Sequence, residues 1–111
     1  MKLNLTRTAI VCLAAVVAAP ALAQGGAASD SGADTYKSTC LMCHGADGTG
    51  NTPAGKAFRA ASLKDPMVVN KSNEELTTVI KNGKDKMPSF KDKLTDEQIK
   101  AVLAYIRALP N

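Results

Sequence analysis

Cys40-Leu41-Met42-Cys43-His44 sets two thiols three positions apart with an imidazole on the next residue, and His44 is the sole histidine of the chain. Three chemistries use such a cluster. A closed zinc site needs four ligands around one ion, but no Cys or His follows residue 44. Adjacent Cys43 and His44 are also awkward partners on a single tetrahedral ion. A dithiol redox pair belongs at the start of a helix that follows a strand. Here the motif ends a helical pattern, in a chain with no convincing strand. The third chemistry is covalent haem attachment, for which Cys-x-x-Cys-His is the signature. The two Sγ–H groups add to two vinyl groups at neighbouring edge positions of the porphyrin, and the next residue turns beneath the ring to place its imidazole on iron. A lone histidine directly after the second cysteine is what this chemistry requires.

One imidazole leaves the opposite iron position to another side chain. Met42 sits inside the attachment loop and cannot reach that face. Met67, before Val68 and Val69, reads as a core residue, because Met readily fills gaps in apolar packing. Met87 lies in "GKDKMPSF", a polar loop between two helical patterns, where an apolar side chain has little purpose unless something holds it. Pro88 fixes the backbone beside it.

Three helices must position these residues. Thr95 with Gln98 forms a capping box, Leu94 is set to staple onto Ile99, and Ile99, Val102, Leu103 and Ile106 make one apolar face before Pro110 ends the helix. A second helix opens at Ser72 with Glu75 as its box partner, runs through Leu76, Val79 and Ile80, and meets Gly83 at its C-terminal cap. The first covers roughly residues 31 to 42, with Tyr36 and Cys40 four apart on one face. Between them "GADGTGNTPAG", residues 45 to 55, reads as a long irregular stretch, unusual in a compact domain unless it wraps something.

The ends of the chain have a different character. Lys2 and Arg7 precede an uncharged apolar run from Ala9 to Ala19, and Ala21-Leu22-Ala23 offers small residues where a signal peptidase reads, so residues 1–23 are expected to be a secretory signal peptide cleaved after Ala23. That run is too short to span a bilayer, which takes roughly 20 apolar residues. Cys12 reads as a small apolar filler within it, since only Ala9, Ile10 and Val11 precede it in the run. Residues 24–33, largely Gly, Ala and Ser, form an expected flexible leader, and residues 34–111 the folded domain.

Among 111 residues there are 14 Lys and Arg against 10 Asp and Glu, and Lys2 and Arg7 leave with the signal. The remaining excess of positive charge is too small to argue for nucleic-acid binding, and two Tyr and two Phe give little stacking surface for single strands. A domain this small has a thin apolar core and depends on a staple. The fate of Cys40 and Cys43 is therefore structural as well as chemical.

The sequence resembles the small monohaem class I c-type cytochromes of the bacterial periplasm, over essentially the whole domain from about Gly32 to Leu109. The matching features are Cys40 to His44, Met87 with Pro88, Gly32 and Tyr36 before the motif, Tyr105 in the last helix, and Pro53 nine residues after His44. The resemblance implies an all-α class I cytochrome c fold, with three to four short helices and long loops wrapped around one covalently bound haem c. It implies Cys40 and Cys43 as thioether anchors and His44 and Met87 as axial iron ligands. It also implies that Gly32 and Tyr36 meet Val102 and Tyr105, and that the Pro53 carbonyl accepts the second ring N–H of His44.

With both axial positions filled by protein atoms the expected activity is one-electron carriage, without enzymatic chemistry of its own. The expected protein is a monomeric, soluble periplasmic carrier serving redox partner proteins. Lys81, Lys84, Lys86, Lys91 and Lys93 flank Met87, either as an ordinary solvated face or as a ring that steers docking to an acidic partner. Arg59 and Lys56 are candidates to pair with haem propionates. A dedicated subunit of an oxidase or dehydrogenase is the alternative, and a sensor or peroxidase-like protein with an open iron site a more distant one.

Overall fold

The computed structural model describes residues 14–16 and 31–111. Cys12, nearly all of the expected signal peptide and residues 24–30 of the expected leader lie outside the described residues. Among the described residues the secondary structure is helical: α1 (Gly32–Thr35), a π-helical turn (Tyr36–Cys40), α2 (Leu41–His44), α3 (Pro53–Phe58), α4 (Pro66–Val69), α5 (Asn73–Asn82) and α6 (Asp96–Arg107). No helix among them is long and apolar enough to cross a membrane.

The folded part begins earlier than the boundary expected after residue 33. Ser31 caps α1 by accepting the Asp34 N–H, so residues 31 to 33 belong to the domain. From Gly32 the chain runs helically to His44, but not as one α-helix. Leu41 N–H donates to the Tyr36 carbonyl, five residues back, and this wider turn replaces the four-residue spacing expected between Tyr36 and Cys40.

Both expected capping boxes form. The Ser72 hydroxyl accepts from Glu75 N–H while the Glu75 carboxylate accepts from Ser72 N–H, and Thr95 and Gln98 make the same reciprocal pair. The stretch from residue 45 to 55 is only partly irregular. Thr52 caps α3 by accepting Gly55 N–H at 2.8 Å, with Pro53 in the first helical turn, where a missing N–H costs nothing.

The core is small and lies where α1, the π turn, α5 and α6 meet. Tyr36, Leu76, Ile80, Ile99, Val102 and Leu103 form it, with Val102 fully enclosed. Gly32 makes the α1–α6 crossing possible, because a Cβ there would overlap the Ala101 carbonyl and press on Tyr105 Cβ at 3.1 Å. Gly32 thus meets Tyr105 as anticipated and, beside it, Ala101 where Val102 was expected, and Tyr36 and Tyr105 pair with ring centroids 5.1 Å apart and tilted by 46°. At the far end of α6, Arg107 donates to the Val69 and Lys71 carbonyls and to Asn73 Oδ1, holding the α4–α5 link against the helix. Met67, expected in the core, is 76% exposed. On the single turn of α4 it is Val68 that faces inward.

Candidate functional site

Beside this core lies a cavity of about 600 Å³, within the ~300–1,000 Å³ span typical of cofactor sites. Its walls are largely apolar: Leu63, Val68, Val79, Phe90, Leu94 and Ile106 contribute, and Leu76, Ile80 and Leu103 belong to core and cavity at once. The structure brings Cys40, Cys43, His44 and Met87 together on this one cavity, from opposite halves of the chain.

Three ties hold the His44 end. The Tyr36 hydroxyl, buried under α6, donates to the Gly45 carbonyl at 2.6 Å, just beyond the motif. Burial pushes the Tyr36 pKa up to about 12, so this hydroxyl remains a donor throughout the neutral range. The Thr52 hydroxyl donates to the Met42 carbonyl at 2.6 Å, joining the start of α3 to the end of α2. Gly50 N–H closes the loop on the His44 carbonyl at 2.7 Å.

His44 Nδ1 lies 3.0 Å from the Ala61 carbonyl. A carbonyl only accepts, so Nδ1 carries the proton and the neutral ring keeps its lone pair on Nε2. Burial lowers the imidazole pKa, against a smaller upward push from the Ala61 contact, and so favours this metal-binding form. The acceptor expected from sequence was the Pro53 carbonyl. The structure uses Ala61 instead, because Pro53 is taken up as the first residue of α3.

Cys40 and Cys43 are both unpaired thiols, half-buried. Burial, with the neighbouring Cys43 adding to it, pushes the Cys40 thiol up to about 11. A dithiol redox centre needs the opposite shift, toward a stabilised thiolate. Nor does any group of three or more His, Cys, Asp or Glu converge on a possible ion site among the described residues, so the zinc alternative fails on geometry as it did on ligand count.

The Met87 end is built from a tight reversal. Lys84 and Met87 exchange both backbone hydrogen bonds, Lys84 N–H to Met87 O at 3.1 Å and Met87 N–H to Lys84 O at 2.9 Å, with Asp85 at φ 52° between them. The flanking lysines separate into different roles. Lys84, Lys86 and Lys71 line the cavity. Lys81 pairs with Asp96 at 2.6 Å, and the Lys93 ammonium lies 5.7 Å from the centre of the Phe90 ring. Arg59 lines the cavity, held at φ 54° by the end of α3, whereas Lys56 is not among the lining residues.

The donor set and walls fit the group that the motif implies: two thiols at one edge, a lone-pair nitrogen beside them, a thioether from the other half of the chain, and apolar surface between. Sequence reasoning missed Thr52 and Ala61. Thr52-Pro53 is a readable helix start, but nothing in the sequence marks the Ala61 carbonyl.

A family model described as cytochrome c oxidase, cbb3-type, subunit III matches residues 27–106. Cytochrome c6 from Bryopsis maxima is 33% identical over 75 residues, covering 68% of this chain and 84% of the relative. Cytochrome c6 from Nostoc sp. (strain PCC 7120) is 38% identical over 87 residues, covering 78% and 73% respectively. Among solved structures, the KustC0563 c-type cytochrome superposes with a TM-score of 0.66 at 31% identity, covering 73% of this chain and 99% of that one.

Proposed function

The chain belongs to the class I c-type cytochromes, electron carriers with a covalently bound haem c, and on that premise we propose that it is a soluble periplasmic one-electron carrier with His44 and Met87 as its axial ligands. In this reading Cys40 and Cys43 anchor the haem as thioethers. The observation that carries it is that the His44 ring, with its lone pair on Nε2, and the Met87 side chain share one apolar cavity with both thiols.

Bound haem supplies a one-electron Fe(III)/Fe(II) couple, whose potential a thioether ligand raises. The residues of this chain do the rest. The Ala61 carbonyl orients the imidazole, the apolar walls exclude water, and the two ties from Tyr36 and Thr52 keep the motif from shifting when the charge on iron changes. Lys71, Lys84 and Lys86 at the cavity edge suit weak, salt-sensitive encounters with an acidic redox partner. With both axial positions taken by side chains, the reading is a carrier and not an enzyme. Export follows from residues 1–23 acting as a cleaved signal.

The deciding experiment is the optical spectrum of the exported, haem-loaded protein beside Met87→Ala. The ferric wild type is expected to show the weak far-red sulfur-to-iron band and the variant to lack it, with a lower reduction potential. A wild type without the band that binds carbon monoxide readily would remove Met87 as ligand and move the open-iron reading forward.

A second reading has one observation in its favour, the description of the matching family model as an oxidase subunit. Stable copurification of the exported chain with a larger membrane oxidase would establish it. Recovery as a free monomer supports the diffusing carrier.

A further inference from the structure

The last carbonyls of an α-helix have no partner within the helix. At the end of α5, Val79 O accepts from Gly83 N–H at 2.8 Å, and the next two carbonyls are taken up by the chain returning after Met87. Phe90 N–H donates to Ile80 O at 3.0 Å and Lys91 N–H to Lys81 O at 3.2 Å. The Ser89 hydroxyl donates to Lys81 O as well. Gly83 lets the outgoing and returning limbs meet, since a Cβ there would lie 2.6 Å from Met87 O and 2.9 Å from both Pro88 C and Ser89 N, at a backbone φ of 75°. Met87 is thus the tip of a loop whose two feet stand on one helix end.

We propose that Gly83 and Ser89 are positioning residues, a clasp on the end of α5 that holds the Met87 thioether in the cavity and sets how readily it leaves. The inference rests on the reading of Met87 as an axial ligand. Ser89 Oγ is the one side-chain contribution to the clasp, so removing it weakens the loop without touching the cavity wall, which Ser89 does not line. Release of Met87 is then a local opening, separate from global unfolding. Loss of one neutral hydrogen bond shifts that opening by roughly fivefold.

Carbon monoxide competes with the thioether, so its apparent affinity for the ferrous protein follows the open fraction. Haem-loaded wild type, Ser89→Ala and Ser89→Thr are compared by carbon monoxide titration, far-red absorbance and far-ultraviolet circular dichroism. Affinity rising roughly fivefold in Ser89→Ala, with the helical spectrum unchanged and Ser89→Thr returning to the wild-type value, supports the clasp. A wild type that shows the far-red band, with Ser89→Ala binding carbon monoxide no more tightly, overturns the clasp alone. A wild type without the band overturns the Met87 reading and the clasp with it. If Ser89→Ala does not fold, amide exchange of the wild type decides: Phe90 and Lys91 amides protected as well as those within α5 support the clasp, and exchange at the rate of open loops overturns it.

Discussion

The two ends of the cavity are held by different means. His44 ends a helical run whose other face is locked under α6, and its neighbours are tied by side-chain hydroxyls, the buried Tyr36 to Gly45 and the partly exposed Thr52 to Met42. Met87 sits on a four-residue reversal held by backbone hydrogen bonds, its immediate neighbours Lys86 and Pro88 exposed. His44 is tied to the core and Met87 hangs from a helix end. The lesson is that the two ends of the cavity, which hold the proposed iron ligands, need not share a stability: the His44 end should open only when the domain unfolds, and the Met87 end before it.

The severest way to break this comparison is at the α1–α6 crossing. Gly32→Ala drives a methyl into the Ala101 carbonyl and is expected to destabilise the fold by about 3 kcal/mol, with the far-red band and the helical signal lost at the same denaturant concentration. Band loss well ahead of the helices in this variant would contradict the division. Tyr36→Phe is gentler. It removes the hydroxyl's hydrogen bond to the buried Gly45 carbonyl, which keeps the Gly48 N–H as a donor, at a cost of about 1 kcal/mol, and because this end moves only with the fold, carbon monoxide affinity should stay at the wild-type value.

The smallest effect comes from acid, through α5, on which the Met87 loop stands. Hydrogen bonds from the Ser72 backbone and side chain hold the Glu75 carboxyl below the ordinary carboxylate range. A depressed folded pKa means that the contribution is complete above the unfolded value and is lost as pH falls through the folded one. Melting scans in that acid window should therefore show a downward slope that is shallower in Glu75→Gln, which keeps the acceptor but does not titrate.

Much of this was legible in the sequence because it depends on local chemistry. Both capping boxes and the apolar face of α6 follow from spacing that a helix translates directly into geometry, the Cys40–His44 cluster carries its chemistry in its own signature, and the Tyr36–Tyr105 pair came from the resemblance to the family. What resisted reading depends on tertiary placement. The Ala61 carbonyl reaches His44 through a loop path that no side-chain type announces, and Met67 and Val68 differ only in which way a single turn of helix happens to face. Nothing in the sequence singles out Arg107, yet its guanidinium carries the α4–α5 link.

The π-helical turn at Tyr36–Cys40 has a consequence of its own. Each residue advances an α-helix by about 100°, so a single extra residue rotates everything beyond it by more than a quarter turn relative to everything before. The segment Gly32–Tyr36 presents one aspect to α6, and Cys40–His44 presents another to the cavity. The widened turn is a phase shifter between them. Deleting one residue from the Lys37–Thr39 stretch would give a more regular helix and swing the attachment motif off its axis, so here regularity and register are opposed.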